Sequence, residues 1–267
     1  MQIFYNNAIS HYNALQVQAR KISPLHGLAY QVNYTWGKNL TDADAVWSAP
    51  GSSGGITLND PSCIRCEYAP ASYDLRQRFV ANFSYNVPGR WGFVPSKISN
   101  GWQALGIYTA QSGFPFTIVG PNGTLQYGFD TLNGVGARPF FIKWADRDPQ
   151  HRAQFFSSDA INNTSNYFSI PTVTSNIAGV GTVQTAPGNL GRNTYTGPGW
   201  WNMDFSVLKD THLTEALNMQ FRAEFFNILN HPTFGTPGGS IGGSNFGLST
   251  NTQSSERELQ FGLRFMF

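Results

Sequence analysis

Two cysteines are the first residues whose spacing suggests chemistry. Cys63 and Cys66 form a Cys-x-x-Cys motif between Pro61 and Pro70, and the chain has no other cysteine. Such a pair is redox-active in a thioredoxin-like setting, and zinc sites use two such pairs. Because neither context is present, we expect a small structural disulfide formed in an oxidising compartment. Metal binding and free thiols are the alternatives.

The histidines and carboxylates form no recognisable catalytic or metal-binding pattern. The five histidines all fall in or near expected turns and loops: His11, His26, His151, His212 and His231. No two of them share the i, i+4 spacing of a helical metal site, and no nucleophile-elbow sequence is present. The sequence around three loop aspartates lacks the glycine and the regular ligand spacing of a calcium-binding loop. These aspartates are Asp42, Asp44 and Asp60. We therefore expect no catalytic site, no metal and no cofactor.

Four tryptophans lie at the ends of expected strands, and they are Trp36, Trp102, Trp200 and Trp201. Aromatic residues form girdles at the two interfaces of a membrane-spanning barrel. The alternative is a sugar-binding surface that uses these rings as platforms. Because both ends of the strand set contribute tryptophans, we expect a girdle. The glycine-rich segment 235–247 lacks the features of a phosphate loop, and we expect it to be a flexible external loop.

The composition argues against a soluble protein. Charged residues make up only 12% of the chain, while aromatic residues reach 15%; soluble domains average about 25% charged residues. The net charge is +2 and there is no basic patch, so nucleic acid is not an expected partner. No apolar run approaches the roughly 18 residues of a membrane-spanning helix. A chain of this kind that crosses a membrane must do so as a closed barrel.

Alternation of apolar and polar residues predicts strands about ten residues long, the length that a tilted strand needs to cross a bilayer. Six segments alternate in this way, around residues 15–20, 28–37, 79–87, 201–207, 217–225 and 259–267. A seventh strand, 102–111, is expected but alternates too poorly for its faces to be assigned. The apolar faces carry charge only at Lys21 and Lys209, each at a strand end where a long side chain can reach the interface. Since a lysine or arginine on the lipid face at mid-bilayer costs roughly 2–4 kcal/mol, the faces predict a lipid-exposed surface.

Short and long connections alternate between these strands. The short ones are 23–27, 88–100 and 210–216, and the long ones are 39–74, 113–199 and 230–257. Outer-membrane barrels have short periplasmic turns and long external loops. We therefore predict an all-β fold: an antiparallel up-and-down transmembrane β-barrel segment of about seven strands, located in the outer membrane.

Seven strands are too few for a bacterial barrel, which closes with an even number of at least eight. The first residues, 1–7, also lack the charged and apolar regions of a signal peptide. We therefore expect residues 1–267 to be the C-terminal part of a larger outer-membrane β-barrel domain, a fragment whose upstream strands are missing.

Six stretches resemble the C-terminal barrel of TonB-dependent receptors, in particular the Oar-like group common in acidobacteria. They are YNALQVQARK (12–21), YTWGKNLTD (34–42), YDLRQRFVAN (73–82), QSGFPF (111–116), GRNTYTGPGW (191–200) and FRAEFFNILNHPTF (221–234). The final segment also resembles the signal read by the barrel-assembly machinery, in Gly262, Phe265 and Phe267. It departs from that signal at Phe261, where a polar residue is favoured.

The resemblance implies a parent protein that imports a scarce nutrient through a barrel of 22 strands, with a plug domain and with energy relayed by TonB. The implied partners are outer-membrane lipid, the barrel-assembly machinery, TonB through an N-terminal region, and an unknown small molecule: a siderophore, cobalamin, a saccharide or a peptide. This chain, with plug domain and signal peptide absent, would supply barrel wall and external loops. The alternative is a soluble secreted β-sandwich that binds carbohydrate, which should have shorter strands, more surface charge and turns of similar length at both ends.

Overall fold

The computed structural model describes residues 8–43, 59–60, 63–89, 92, 94–121, 138–148, 153–170, 174–177, 181–184 and 188–267. Asp44, Pro61 and His151 lie outside the described residues, as does the segment 1–7. Seven long strands form the main sheet: β1 (Ser10–Leu25), β2 (Leu28–Thr41), β3 (Gln77–Asn86), β4 (Trp102–Gln111), β5 (Trp200–His212), β6 (Asn218–Phe226) and β7 (Glu258–Met266).

Each long strand pairs antiparallel with the next one along the chain, so the order in the sheet is the order in the sequence. A two-residue strand, Ala69–Pro70, adds to the end of β2. The strands are 9 to 16 residues long, well above the roughly five or six residues usual in soluble proteins. The all-β, up-and-down fold predicted from the alternation is confirmed.

Among the described residues, no second layer packs on the apolar face of this sheet. Leu15, Val17, Phe261 and Leu263 lie on this face at the two edges of the sheet, and each is more than half exposed. In a β-sandwich these side chains would form the core against a second sheet. The exposed face is instead that of a sheet in contact with lipid, and it rules out the soluble sandwich.

Cross-strand register assigns the faces of β4, which its own sequence left open. Trp102 pairs with Lys209, and Ile107 pairs with Asp204. Directly opposed residues share a face, so Trp102 lies on the apolar face and Ile107 lies on the polar one. The weak alternation of β4 thus arises because aliphatic residues occupy its polar face.

The connections separate the two ends of the sheet. At one end, called the turn end, β1 and β2 are joined by His26 and Gly27, with φ values of 50° and 88°. Positive φ at both residues is the geometry of the tight hairpin turn that matches strand twist. The connections 87–101 and 213–217 lie at the same end, and the first contains a helix at Ser96–Ser99. The described residues of the three long connections, 42–76, 112–199 and 227–257, lie at the opposite end, called the loop end.

Most of the buried apolar residues lie in the long connections and not in the sheet. We call their described residues the loop layer. Its regular elements are short, and no helix in the described part of the chain is both long and apolar enough to span a membrane. The regular elements of the loop layer include three strand pairs: Pro115–Phe116 with Tyr195–Thr196, Phe140–Phe141 with Phe168–Ser169, and Thr174–Ile177 with Gly181–Gln184. They also include one helix, Ser158–Asn162, and two 3₁₀ turns, Ile64–Glu67 and Thr164–Asn166.

An aromatic cluster forms the centre of the loop layer. Phe156 is fully buried and contacts the ring of Tyr195 at 5.3 Å and the ring of Phe246 at 5.6 Å between centroids. Aromatic pairs at such separations stabilise a core beyond their buried area. The layer is therefore a packed unit with its own core, in line with long connections that carry structure of their own.

The glycine-rich segment 235–247 is packed, and the prediction of a flexible loop was wrong. Ile241 and Phe246 from this segment are buried in the aromatic cluster. The Val119 amide donates to the Gly239 carbonyl at 2.9 Å, and a Cβ on Gly239 would meet the Thr117 carbonyl oxygen at 2.1 Å. Glycine is used here because two backbones approach too closely for any side chain.

Candidate functional site

Polar residues from the resembling stretches are buried where the strands enter the loop layer. Asp42, Asp74, Arg192, Asn193 and Asn227 come from four of those stretches, and all five are buried. The Asp74 carboxylate accepts from the Asn39 amide at 2.6 Å and from the Arg76 Nε at 2.7 Å. Buried polar groups of this kind are tolerated because they are hydrogen-bonded.

Glu67 is the centre of a buried charge cluster between two long connections. Arg138 donates to both of its carboxylate oxygens, at 2.6 and 2.7 Å. The Arg192 guanidinium lies 3.8 Å from the same carboxylate and donates to the Thr41 carbonyl at 2.5 Å. Hydrogen bonds between an arginine and a carboxylate with this fork geometry are stronger than those between neutral groups. The cluster joins the 42–76 connection to the 112–199 connection.

Cys63 and Cys66 are joined as a disulfide, with their Cα atoms 5.3 Å apart. The bond closes the 3₁₀ turn Ile64–Glu67, which carries Glu67 into the charge cluster. The disulfide therefore lies beside the charge cluster.

A cavity of about 660 Å³ opens on the polar face at the loop end. Its volume is within the roughly 300–1,000 Å³ typical of small-molecule sites. The wall is formed by the ends of β3 to β7 and by the connection 227–257. Its aromatic residues are Phe114, Trp200 and Phe226, and its ionisable residues are Arg78, Asp204, Glu256 and Glu258. Amides and hydroxyls fill the spaces between them.

A hydrogen-bonded corner holds one wall of the cavity. Asp204 accepts from the Asn227 amide and from the Asn202 side-chain amide, both at 2.9 Å. Asn227 has a φ of 47°, and its own side chain accepts from the His231 amide at 2.9 Å and donates to the Ser255 carbonyl at 3.0 Å. Asparagine is among the few residues that adopt positive φ readily. The chain therefore turns sharply at Asn227, and the wall is pre-formed.

The four tryptophans occupy both faces. Trp36 is on the apolar face near the loop end and is more than half exposed. Trp102 is on the apolar face at the turn end, and its ring N–H donates to the Ile98 carbonyl at 2.7 Å. Trp201 lies beside Tyr108, with ring centroids 6.1 Å apart. For these three residues the girdle stays a prediction.

Trp200 differs from the other tryptophans because it lines the cavity. Neighbouring residues of a strand point to opposite faces, so Trp200 shares the polar face with Asn202 and Asp204. A lipid-facing girdle role does not fit this position. The position of Trp200 fits the alternative role, that of an aromatic platform for a ligand.

The residues that resemble the barrel-assembly signal lie at the end of β7. Gly262 pairs with Arg222 on the polar face, Phe265 pairs with Met219, and Phe267 is fully exposed after the strand. An assembly role for Gly262, Phe265 and Phe267 stays a prediction.

The described histidines do not converge on one another. His11 shares a hydrogen bond of 2.9 Å with the Tyr68 hydroxyl, His212 bonds to Asn218, and His231 stacks on Trp201 at 3.9 Å between ring centroids. Within the described part of the chain, no group of three histidine, cysteine, aspartate or glutamate residues is placed to hold a metal ion.

Three titratable groups of the loop layer have shifted pKa values. The Tyr167 hydroxyl donates to the Asp159 carboxylate at 2.5 Å. This bond, with burial adding to it, raises the pKa of Tyr167 to about 12, and the same bond lowers the pKa of Asp159. Burial raises the pKa of the Tyr195 hydroxyl. Both tyrosines belong to the aromatic core.

A sheet of long antiparallel strands, apolar and exposed on one face and polar on the other, is the wall of an outer-membrane β-barrel protein. The chain matches the family model described as "outer membrane beta barrel domain" over residues 1–260, and it belongs to this family. Its location is therefore the outer membrane, in contact with membrane lipid. Neither a curated protein nor a solved structure matches the chain.

Sequence reasoning missed the cavity and the Glu67 cluster. Arg78, Arg192 and Asn227 each lie within a resembling stretch, and their position at the ends of long alternating strands is the signal that could have identified them. The same reasoning offered no sign that Arg78 and Glu258, from strands far apart in the chain, line one cavity.

Proposed function

We propose that this chain supplies barrel wall and external loops to a TonB-dependent receptor that imports a small nutrient across the outer membrane. The observation that carries the proposal is that polar residues from separate receptor-like stretches are buried. Asp74, Arg192 and Asn227 come from three separate stretches, and all are buried at the junction between the sheet and the loop layer. A shared role in anchoring the external loops accounts for the presence of all three.

The arrangement of charge supports import of a solute. Arg20, Asp204, Arg222 and Glu224 lie on the polar face, which in a barrel surrounds the lumen. The cavity opens on this face beneath the loop layer. A ligand arriving through the loops would therefore meet a polar site before it reached the lumen.

The edges of the sheet support a larger barrel. In the described part of the chain, β1 pairs only with β2, and β7 pairs only with β6. Unpaired strand edges are not tolerated in lipid. We propose that further strands, 22 in all as the resemblance implies, complete the wall, and that a plug domain and a TonB-contacting segment belong to the same parent protein.

The proposal assigns transport and not catalysis to the parent protein. Its partners are then TonB, the barrel-assembly machinery and a small-molecule substrate from among siderophores, cobalamin, saccharides and peptides. The disulfide and the Glu67 cluster stabilise the external loops in this scheme.

Growth of the host bacterium tests the proposal. A strain lacking this gene is compared with a strain lacking TonB across panels of single carbon, iron and cobalamin sources. Every nutrient whose use is lost without the receptor should also be lost without TonB, and the intact gene should restore it. The proposal would be overturned by a nutrient on which growth requires this gene but does not require TonB.

A further inference from the structure

We propose that the cavity at the loop end binds a neutral saccharide, with one sugar ring stacked on Trp200. The proposal rests on the receptor function proposed above for its role in import, and it names the substrate class. It starts from the position of Trp200, which lies in the cavity wall on the polar face.

The Trp200 ring has no aromatic partner among the described residues, whereas the adjacent Trp201 stacks on His231 at 3.9 Å and lies beside Tyr108. Phe114 and Phe226 also contribute to the wall. Flat apolar surfaces next to polar groups are what a sugar ring needs, because its C–H face is apolar and its rim carries hydroxyl groups.

The polar lining offers a polyol both hydrogen-bond donors and acceptors. Arg78 places a positive charge in the wall, while Asp204, Glu256 and Glu258 place negative charges there. An anionic ligand would face three carboxylates. A hydroxyl group both donates and accepts, so a saccharide can use both kinds of partner. The amides of Gln111 and Gln253, also in the wall, likewise donate and accept.

One acceptor in the wall is already desolvated. The Oδ1 of Asn202 is buried, and among the described residues it has no hydrogen-bond partner. Because this oxygen is not exposed to the cavity, Asn202 contributes to the wall through its side-chain amide, which donates to Asp204 at 2.9 Å. The neighbouring Asp204 is held by two hydrogen bonds to Asn202 and Asn227, so this side of the cavity is rigid before a ligand binds. Rigid, pre-formed polar groups reduce the entropy lost on binding.

Direct binding measurements test the proposal on the receptor purified from outer membranes in detergent. The neutral probes are oligosaccharides released from starch, cellulose, xylan and chitin, with spermidine as a cationic probe and citrate as an anionic one. At least one neutral oligosaccharide should bind. Trp200→Ala should weaken its affinity at least tenfold, and Trp200→Phe, which keeps an aromatic platform, should recover most of it.

Two further variants separate a binding role from a folding role. Trp36→Ala removes an exposed tryptophan from the apolar face and should leave the affinity unchanged. Glu256→Gln changes an exposed cavity carboxylate and should weaken binding severalfold without affecting folding, because Glu256 makes no hydrogen bond or ion pair with the described residues.

The proposal is overturned if none of the neutral oligosaccharides binds, if spermidine or citrate binds in their place, or if Trp36→Ala weakens binding as much as Trp200→Ala. Failure of the receptor proposal looks different. Trp200-dependent saccharide binding, combined with growth on that saccharide that does not need TonB, would overturn the receptor function alone. TonB-dependent growth on a nutrient other than a saccharide would overturn the saccharide proposal alone.

Discussion

Glu67 shows how a single carboxylate can hold two long connections together. It is fully buried, and its charge is balanced by Arg138, which binds both oxygens, and by Arg192. The Asn59 amide also donates to it at 3.0 Å. A buried ion pair adds little net stability compared with apolar packing, but removal of one partner leaves an uncompensated charge. The loop layer should therefore depend strongly on this residue.

Glu67→Ala is expected to destabilise the local fold of the loop layer by about 3–5 kcal/mol, because two buried guanidinium groups lose their counter-charge. Hydrogen exchange of segments 138–148 and 188–196 in the folded protein measures the effect, and exchange in β1 to β7 should change little. The matched control is Glu215→Ala, in an exposed turn between β5 and β6. Unchanged exchange in both segments after Glu67→Ala would show that the cluster does not hold the layer.

The β1–β2 hairpin is an element whose geometry depends on two residues. Gly27 has a φ of 88°, and a Cβ at this position would lie 2.4 Å from the Asn86 carbonyl oxygen. The same Gly27 accepts a hydrogen bond from the Asn86 amide at 2.8 Å. The turn is thus packed against the end of β3, and its backbone has no room to relax.

Gly27→Ala should destabilise the folded barrel by at least about 1–2 kcal/mol, the cost of left-handed backbone for a residue with a Cβ, with the clash against Asn86 in addition. His26→Asn, in the same turn, should be neutral or slightly stabilising, because asparagine tolerates positive φ better than histidine. Urea-induced unfolding in lipid vesicles compares the two midpoints. Equal midpoints would mean that the turn adopts another conformation in the membrane.

On the scale of the whole molecule, the two faces of the sheet meet different solvents. Val32 on β2 pairs with Ala19 and Ala81 on the apolar face, whereas its neighbour Asn33 pairs with Gln18 and Val80 on the polar face. Both residues lie near the middle of the strands that flank them. They differ in the face that they occupy and not in their depth in the sheet.

Val32→Arg should prevent assembly or sharply reduce it, because an arginine facing mid-bilayer lipid costs roughly 2–4 kcal/mol. Asn33→Arg, one residue away on the lumen side, should assemble normally. The heat-modifiable electrophoretic mobility of the protein in outer-membrane fractions reports the folded fraction. If both arginine variants assemble equally well, the assignment of the faces is incorrect.

The sequence alone determined the strands, the class of fold and the membrane that contains it. Period-two alternation and segregation of charge are local properties, since each strand must present one face to lipid and one to the lumen wherever its neighbours lie. Alternating connection lengths follow from the same up-and-down path. For β4 this reasoning failed, because Leu105 and Ile107 occupy the polar face and only pairing with β5 reveals it.

The tertiary structure decided everything that depends on contacts between distant segments. Only packing shows that the glycine-rich run 235–247 is part of a core, that Glu67 faces two arginines, and that Trp200 lines a cavity that Trp201 does not. The physical reason is that strand alternation is set by residues two apart, whereas register, close backbone approach and buried charge pairs are set by which segments meet. Those contacts between distant segments depend on the fold as a whole.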